Sequence, residues 1–438
     1  MMKYFNKTLL AVSIALVSSQ TMASGFQSNS QSATGFGRAF AGDAVIADNA
    51  SVLSRNPAAM ALFDETSYSV GLSYIDIDIS VKDIELVGMP PENGYGSVNS
   101  AGTNKFIPNF YYIQPINDKF AFGIGAFTNF ATGTDAGSLA NSTINHPVTG
   151  DPIPAPVDLL GNTEVTTMNF NASVSYRINE QFSVGAGIDL VYGQGTLTRE
   201  GNLPIGPGGA VVPANLVDVD ADGIGFGGIV GATYEIDANN RLGFSYRFSP
   251  EFKAEGDIDT LNTQLGAVVS FDEIVIPLPD IMQFAGFHQL NEKFAVHYTA
   301  QLTTWGDFDQ ITVNEGSVAG NVIVDEAPLK VYQWEDSWLF SVGGTYTIND
   351  KFTARAGIMK DQAVAGEISS ISIPDSDRTW YTAGFSYAMT PKASIDFGLA
   401  VVRGEDATVI ENSAIVGDIS AHTRSDAVYY SLQYSSSF

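Results

Sequence analysis

Side chains able to do covalent or redox chemistry are few and scattered in this chain. It has no cysteine and only four histidines, His146, His288, His297 and His422. A serine hydrolase needs a histidine base with an orienting partner, and none of the four lies in a recognisable serine-nucleophile motif. Without cysteine, disulfides and thiolate metal sites are excluded. Asp218-Val219-Asp220-Ala221-Asp222-Gly223 imitates the opening of a calcium loop, but the position that should carry a bidentate glutamate is Ile229. An acidic loop tip is the better reading. Gly35-Phe36-Gly37 has the glycines of a nucleotide loop, yet no strand precedes it and no βαβ unit surrounds it. No catalytic residue, metal or cofactor is expected, and the chain reads as a non-enzyme.

What is abundant instead is a repeated turn. It occurs as Ile116-Asn117-Asp118-Lys119-Phe120, Ile178-Asn179-Glu180-Gln181-Phe182 and the longer Ile236-Asp237-Ala238-Asn239-Asn240-Arg241-Leu242. It returns as Leu290-Asn291-Glu292-Lys293-Phe294, as Ile348-Asn349-Asp350-Lys351-Phe352, and loosely as Met389-Thr390-Pro391-Lys392-Ala393. Asn and Asp between β-formers make tight reverse turns, because their side chains bond their own backbone. Successive copies start 62, 58, 54, 58 and 41 residues apart, so each interval holds two strands and a long connection. Short turns at one end and long loops at the other are the asymmetry of a bacterial outer-membrane barrel.

The segments beside the turns alternate with period two, which places alternate side chains on opposite faces of a sheet. Phe182, Val184, Ala186, Ile188, Leu190 and Tyr192 oppose Ser183, Gly185, Gly187, Asp189 and Gly193. Six turns join twelve strands; one more strand lies near 68–74 and a last one ends at Phe438. The expected fold is all-β, a 14-stranded antiparallel transmembrane β-barrel. A barrel needs no cover for its apolar face, since lipid is the apolar phase and closure satisfies the hydrogen bonds. Aromatic residues at the turn ends, among them Phe120, Phe294, Tyr234 and Tyr387, fit an interfacial girdle.

Residues 1–23 read as a secretory signal, with Lys3 and Lys7, an apolar core from Leu9 to Val17, and Thr21-Met22-Ala23 before the cut. The net charge of −27 becomes −29 once both lysines are removed, which argues against nucleic acid as a partner. Residues 24–64 are not strand-like. Asn56 can cap a helix that starts at Pro57, where the missing N–H costs nothing, and Asp48 can cap an earlier turn. A wide barrel has room for such a piece as a plug, leaving 65–438 for the wall.

At this segment the chain resembles a known family. Gly25-Phe26-Gln27, Gly35-Phe36-Gly37-Arg38-Ala39, Ala47-Asp48 and Ser54-Arg55-Asn56-Pro57-Ala58 look like the N-terminal hatch of the FadL family of outer-membrane transporters for long-chain fatty acids and aromatic hydrocarbons. Asn129-Phe130-Ala131-Thr132, Thr167 to Asn171, Trp305-Gly306-Asp307-Phe308 and Ile373 to Trp380 continue the likeness. The resemblance implies a hydrophobic small-molecule ligand taken up by ligand-gated diffusion, with outer-membrane lipid and lipopolysaccharide as surroundings and a monomer as the unit. It implies hatch and gating roles for Gly25, Phe26, Asn56, Pro57 and Ala58.

The long connections 131–163 and 198–219 carry apolar residues unusual for solvated loops, including Ile144, Leu159, Leu160, Leu203, Ile205, Val212 and Val217. Such clusters mean either an interaction surface or loops packed on one another. The resemblance favours a ligand-capturing groove, with Leu159, Leu160, Leu203, Val212 and Phe130 as ligand-binding residues. It also aligns Arg199 with a basic residue suited to a fatty-acid carboxylate; a rim ion pair with Glu200 is the rival role. Some family members carry a lysine just before the tenth strand, where this chain has Glu335-Asp336, with Lys330 a few residues earlier. That departure keeps uncharged hydrophobic cargo, such as aromatic hydrocarbons, as the alternative. Finally, the resemblance implies a lateral exit beside a kink in the third strand near Asn129, with Gly123 and Gly125 leaving room.

Overall fold

The computed structural model describes residues 25–90, 93–203, 211–366 and 370–438. The expected signal, Ser24 and Ile205 lie outside the described residues. Fourteen strands form the wall: β1 Ser67–Leu86, β2 Lys105–Pro115, β3 Phe120–Phe127, β4 Asn162–Arg177, β5 Phe182–Leu203, β6 Val212–Asp237 and β7 Asn240–Phe248. They continue as β8 Ile281–Asn291, β9 Phe294–Thr303, β10 Ser337–Asn349, β11 Phe352–Asp361, β12 Arg378–Thr390, β13 Ala393–Gly404 and β14 Gly417–Ser437. Each pairs antiparallel with its neighbours. The cylinder closes where β1 meets β14, from Ser67 opposite Ser437 to Leu86 opposite Ile419.

All six repeated turns join adjacent strands, and four share one geometry. The Asn117 Oδ1 accepts from the backbone N–H of Lys119 (2.9 Å) and Phe120 (3.0 Å). Asn179, Asn291 and Asn349 repeat both bonds. In the two divergent copies, Asp237 accepts from Asn239 N–H and Thr390 Oγ1 from Lys392 N–H. The side chain thus satisfies backbone donors that the ladder leaves open.

The packing is inverted relative to a water-soluble protein. Val70, Leu72, Phe170, Val174, Ile188, Phe226 and Phe340 are exposed, Phe226 by 76%, while Ser69, Ser73, Asn171, Ser431 and Gln433 face inward and are buried. A polar interior and an apolar outer surface satisfy a sheet only where lipid surrounds it.

Residues 25–64 fill the lumen. They hold a short α-helix, Ala33–Gly37, capped by Ser32, and two 3₁₀ turns, Ala50–Ser54 and Pro57–Leu62. Asn56 caps the last, its Oδ1 accepting from Ala58 N–H at 3.0 Å. The expected cap at Asp48 is wrong: Asn49 caps Ala50–Ser54. Asp48 instead accepts from Arg38 (2.7 Å) and lies 3.4 Å from Arg355 on β11, a stronger use of a charged carboxylate than one N–H. Backbone or side-chain atoms of the hatch sit where a Cβ would stand at Gly185, Gly231, Gly243, Gly343, Gly384 and Gly398, on six different strands. The wall yields space to the plug at these positions.

Candidate functional site

The site begins with a break in the wall. β3 ends at Phe127, opposite Asn169 of β4, and pairing with β4 resumes at Ala131 opposite Thr166. One side has three intervening residues and the other two, so the chain bulges at Thr128, Asn129 and Phe130. On the other flank, pairing with β2 stops at Phe110 opposite Ala126 and resumes only at Thr103, whose N–H reaches Gly133 O at 3.1 Å. Between those points the two strands have no ladder bonds among the described residues.

The bulge turns inward and the start of the hatch pairs with it. Ser28 N–H donates to Asn129 O (2.6 Å), Ala131 N–H to Phe26 O (3.0 Å), and Gln27 forms a bridge with Phe130. Gln31 Nε2 adds bonds to Thr128 O (2.7 Å) and Asn129 Oδ1 (3.1 Å). The backbone groups lost to the neighbouring strand are thereby paired from inside. This places Phe26 in an aromatic cluster: its ring lies 5.8 Å from Phe130, 4.8 Å from Trp305 and 5.5 Å from Phe308. Gly25 adopts a left-handed φ of 55° with its missing Cβ against Trp334 and Trp305, a position that only glycine fills without strain.

Phe26 forms one side of a cavity lined mainly by apolar side chains of β5, β6, the hairpin 251–277 and the segment 308–332. Arg199 lines it too. It is buried, and its guanidinium donates to Asn162 O (2.7 Å), Thr198 O (2.8 Å) and Thr163 Oγ1 (2.7 Å). All are neutral acceptors, and it makes no ion pair with Glu200 or any other carboxylate among the described residues. The second cation on the cavity, Lys330, is bonded to Glu411. Lys330 therefore supplies a lysine to the cavity although Glu335 and Asp336 occupy the position before β10. Burial pushes the Tyr332 phenol up to about 12, so it remains a neutral donor on the cavity, which Asp158 and Glu164 also line.

The other expected residues fall in three places. Phe130 packs with Phe26 at the bulge. Leu159 and Leu160 are buried in a separate apolar layer with Val81, Ile84, Ile371, Val409 and Ile419, and do not line the cavity. Leu203 and Val212 pair with each other across the extended ends of β5 and β6; the described parts of 198–219 are strand, with Val217 and Val219 on the cavity. Gly123 and Gly125 are a correction. They face the hatch, and their side-chain space is taken by Leu53 and Met60, so they leave no room beside the bulge. Asn56 anchors the hatch through Nδ2 to Ala44 O (2.9 Å) and Ala232 O (3.1 Å), and Pro57 and Ala58 press on Gly185. Sequence reasoning missed Phe252, Ile274, Ile276 and Leu278. They lie on a hairpin above the barrel whose alternation could have been read like that of the wall.

A plugged barrel with a built-in break and an apolar cavity is the setting for comparison with known proteins. The family model described as outer membrane protein transport protein (OMPP1/FadL/TodX) matches residues 14–438. The chain belongs to this family. As a FadL-family member it is an outer-membrane transport protein of Gram-negative type. A long-chain fatty acid transport protein of Salmonella typhi is 30% identical, over 93% of this chain and 94% of its own. Among solved structures, a Pseudomonas aeruginosa FadL homologue superposes with a TM-score of 0.77 at 23% identity, covering 95% of this chain and 100% of its own. The Pseudomonas putida toluene transporter TodX gives 0.66 at 20%, with 95% and 100% covered.

Proposed function

We propose that this protein takes up long-chain fatty acids across the outer membrane by passive, ligand-gated diffusion. The observation that carries the reading is Arg199, a buried guanidinium facing an apolar cavity with only neutral partners. A buried charge is costly unless paired, and a carboxylate on a hydrocarbon tail supplies both the missing charge and the apolar surface. Relatives named as long-chain fatty acid transport proteins support the same cargo. The ligand leaves when the segment around Phe26 moves, and the break between β2 and β3 gives it a lateral way into the bilayer.

Uncharged hydrophobic compounds are the second reading, favoured by the apolar lining and by the likeness to a toluene transporter. Uptake by cells that lack their own carrier separates the two. Oleate import that collapses in R199M supports fatty acids; toluene import that R199M leaves unchanged, with no oleate import, supports the second.

We read the protein as a monomer set in lipid and lipopolysaccharide, and as a non-enzyme. Support for the last point comes from membership of a family of outer-membrane transport proteins.

A further inference from the structure

A second, smaller cavity adjoins the first, and Phe26 and Ile373 line both. Its far side is the lip of the wall break, Ala131 to Thr134. It combines apolar side chains, Ile75, Ile77 and Ile79 of β1 and Val402 of β13, with two cations, Arg378 and Lys105, the latter paired with Ile75 across the ladder. No carboxylate lines it, although the chain holds 48 acidic residues against 21 basic ones.

The acidic partners of both cations lie elsewhere. Lys105 crosses over Gly133, where a Cβ would stand 3.3 Å from Nζ, to bond Glu164, which lines the first cavity. Arg378 lies 3.2 Å from Asp375, which lines neither cavity. Burial pushes the Asp375 carboxyl up to about 7 against the pull of Arg378, so it neutralises its partner incompletely near neutral pH. The Nε of Arg378 is buried without an acceptor among the described residues. A guanidinium whose carboxylate partner lies outside the cavity and a lysine held by an acid of the other chamber are both able to bind a new anion.

We infer that the second cavity is an anion subsite, where Arg378 and Lys105 hold the carboxylate of an amphiphile that has left Arg199 on its way to the wall break. Ile75, Ile77, Ile79 and Val402 receive its apolar part. Lys105 exchanges Glu164 for the ligand, which frees Glu164 in the first cavity to repel a returning carboxylate. The assignment rests on the fatty-acid reading above.

Equilibrium dialysis of the full-length protein in detergent against radiolabelled oleate tests it, alongside cellular uptake of oleate and oleyl alcohol. Wild-type protein is expected to bind two oleates. K105Q/R378Q keeps only the Arg199 site, at an affinity lowered by the unpaired Glu164, and takes up oleate about tenfold more slowly with oleyl alcohol uptake unaltered. The charge-conserving K105R/R378K keeps both sites. Two oleates and full uptake in K105Q/R378Q would overturn the subsite, as would equal losses in K105R/R378K, which would mark a structural role. An R199M-sensitive single site in wild type would leave the fatty-acid reading standing while removing the subsite. No oleate binding in wild type would remove both.

Discussion

Replacing Arg199 with Met removes the charge while keeping most of the aliphatic stem. A hydrogen bond to a charged group contributes about 1.5–3 kcal/mol, so losing the carboxylate contact weakens oleate binding roughly 10- to 150-fold. The substitution also strands Asn162 O, Thr198 O and Thr163 Oγ1, which the guanidinium now satisfies. Unsatisfied buried groups cost about 1–3 kcal/mol in stability, so binding is measured only after thermal unfolding shows the barrel intact. The assay is equilibrium binding in detergent of oleate and of oleyl alcohol, which shares the tail and lacks the charge. Oleate is expected to lose affinity by the stated factor while oleyl alcohol changes less than threefold. Equal losses for both would show that Arg199 acts through packing, and no loss for oleate would refute the carboxylate role altogether.

F26A opens the partition between the cavities and removes four ring contacts; the cost of a buried Phe→Ala change is about 3–5 kcal/mol, and cells carrying it should become more permeable to hydrophobic antibiotics. G231V drives a side chain into Asn56 Oδ1, which stands 2.0 Å from the Cβ position, and is expected to expose the hatch to limited proteolysis while the strands still resist. G123L should do the same through Met60 and Leu53, rather than block an exit, so hatch proteolysis is the readout that separates these outcomes. Burial raises the Asp48 carboxyl, but Arg38 and Arg355 outweigh it and hold it at about 2. A carboxyl lowered in the folded state stabilises it above its unfolded value and loses that contribution as pH falls toward the folded one; hatch protection should therefore drop between pH 3.8 and about 2, and D48N should abolish that dependence.

The wall was legible because its grammar is local. An asparagine three residues before a strand start bonds the same two N–H groups four times over, and alternation fixes which face meets lipid. The hatch cap at Asn56 was legible for the same reason. The cavity was not, because it is assembled from segments distant in sequence. Phe26 meets Phe308, and Arg199 meets Tyr332 and Ile373, only after closure. Gly123 and Gly125 misled because a glycine in sequence shows missing bulk but not what fills the space. The long strands β5 and β6 hid part of the site, since 198–203 and 212–219 continue the ladder above the membrane rather than forming a loop.

The architecture divides the molecule into parts of unequal strength, and the division bears on gating. Apart from the break beside β3, wall strands are held by continuous ladders with no water in lipid to compete. The segment 25–28 is tied to the bulge by two backbone bonds, Ser28 N–H to Asn129 O and Ala131 N–H to Phe26 O. Each has a net value of about 0.5–1.5 kcal/mol, so about 1–3 kcal/mol holds the tie before the aromatic contacts are counted. A ligand shifts such an equilibrium only by the difference in its affinity for the two states. An apolar tail that displaces the Phe26 ring from Trp305 and Phe308 takes over their buried surface, and that difference falls in the same range. On the proposed function, the charge on Arg199 selects the cargo and the tail does the opening. An uncharged hydrocarbon of equal length should therefore still loosen the hatch, measured by proteolysis at saturation, while binding more weakly.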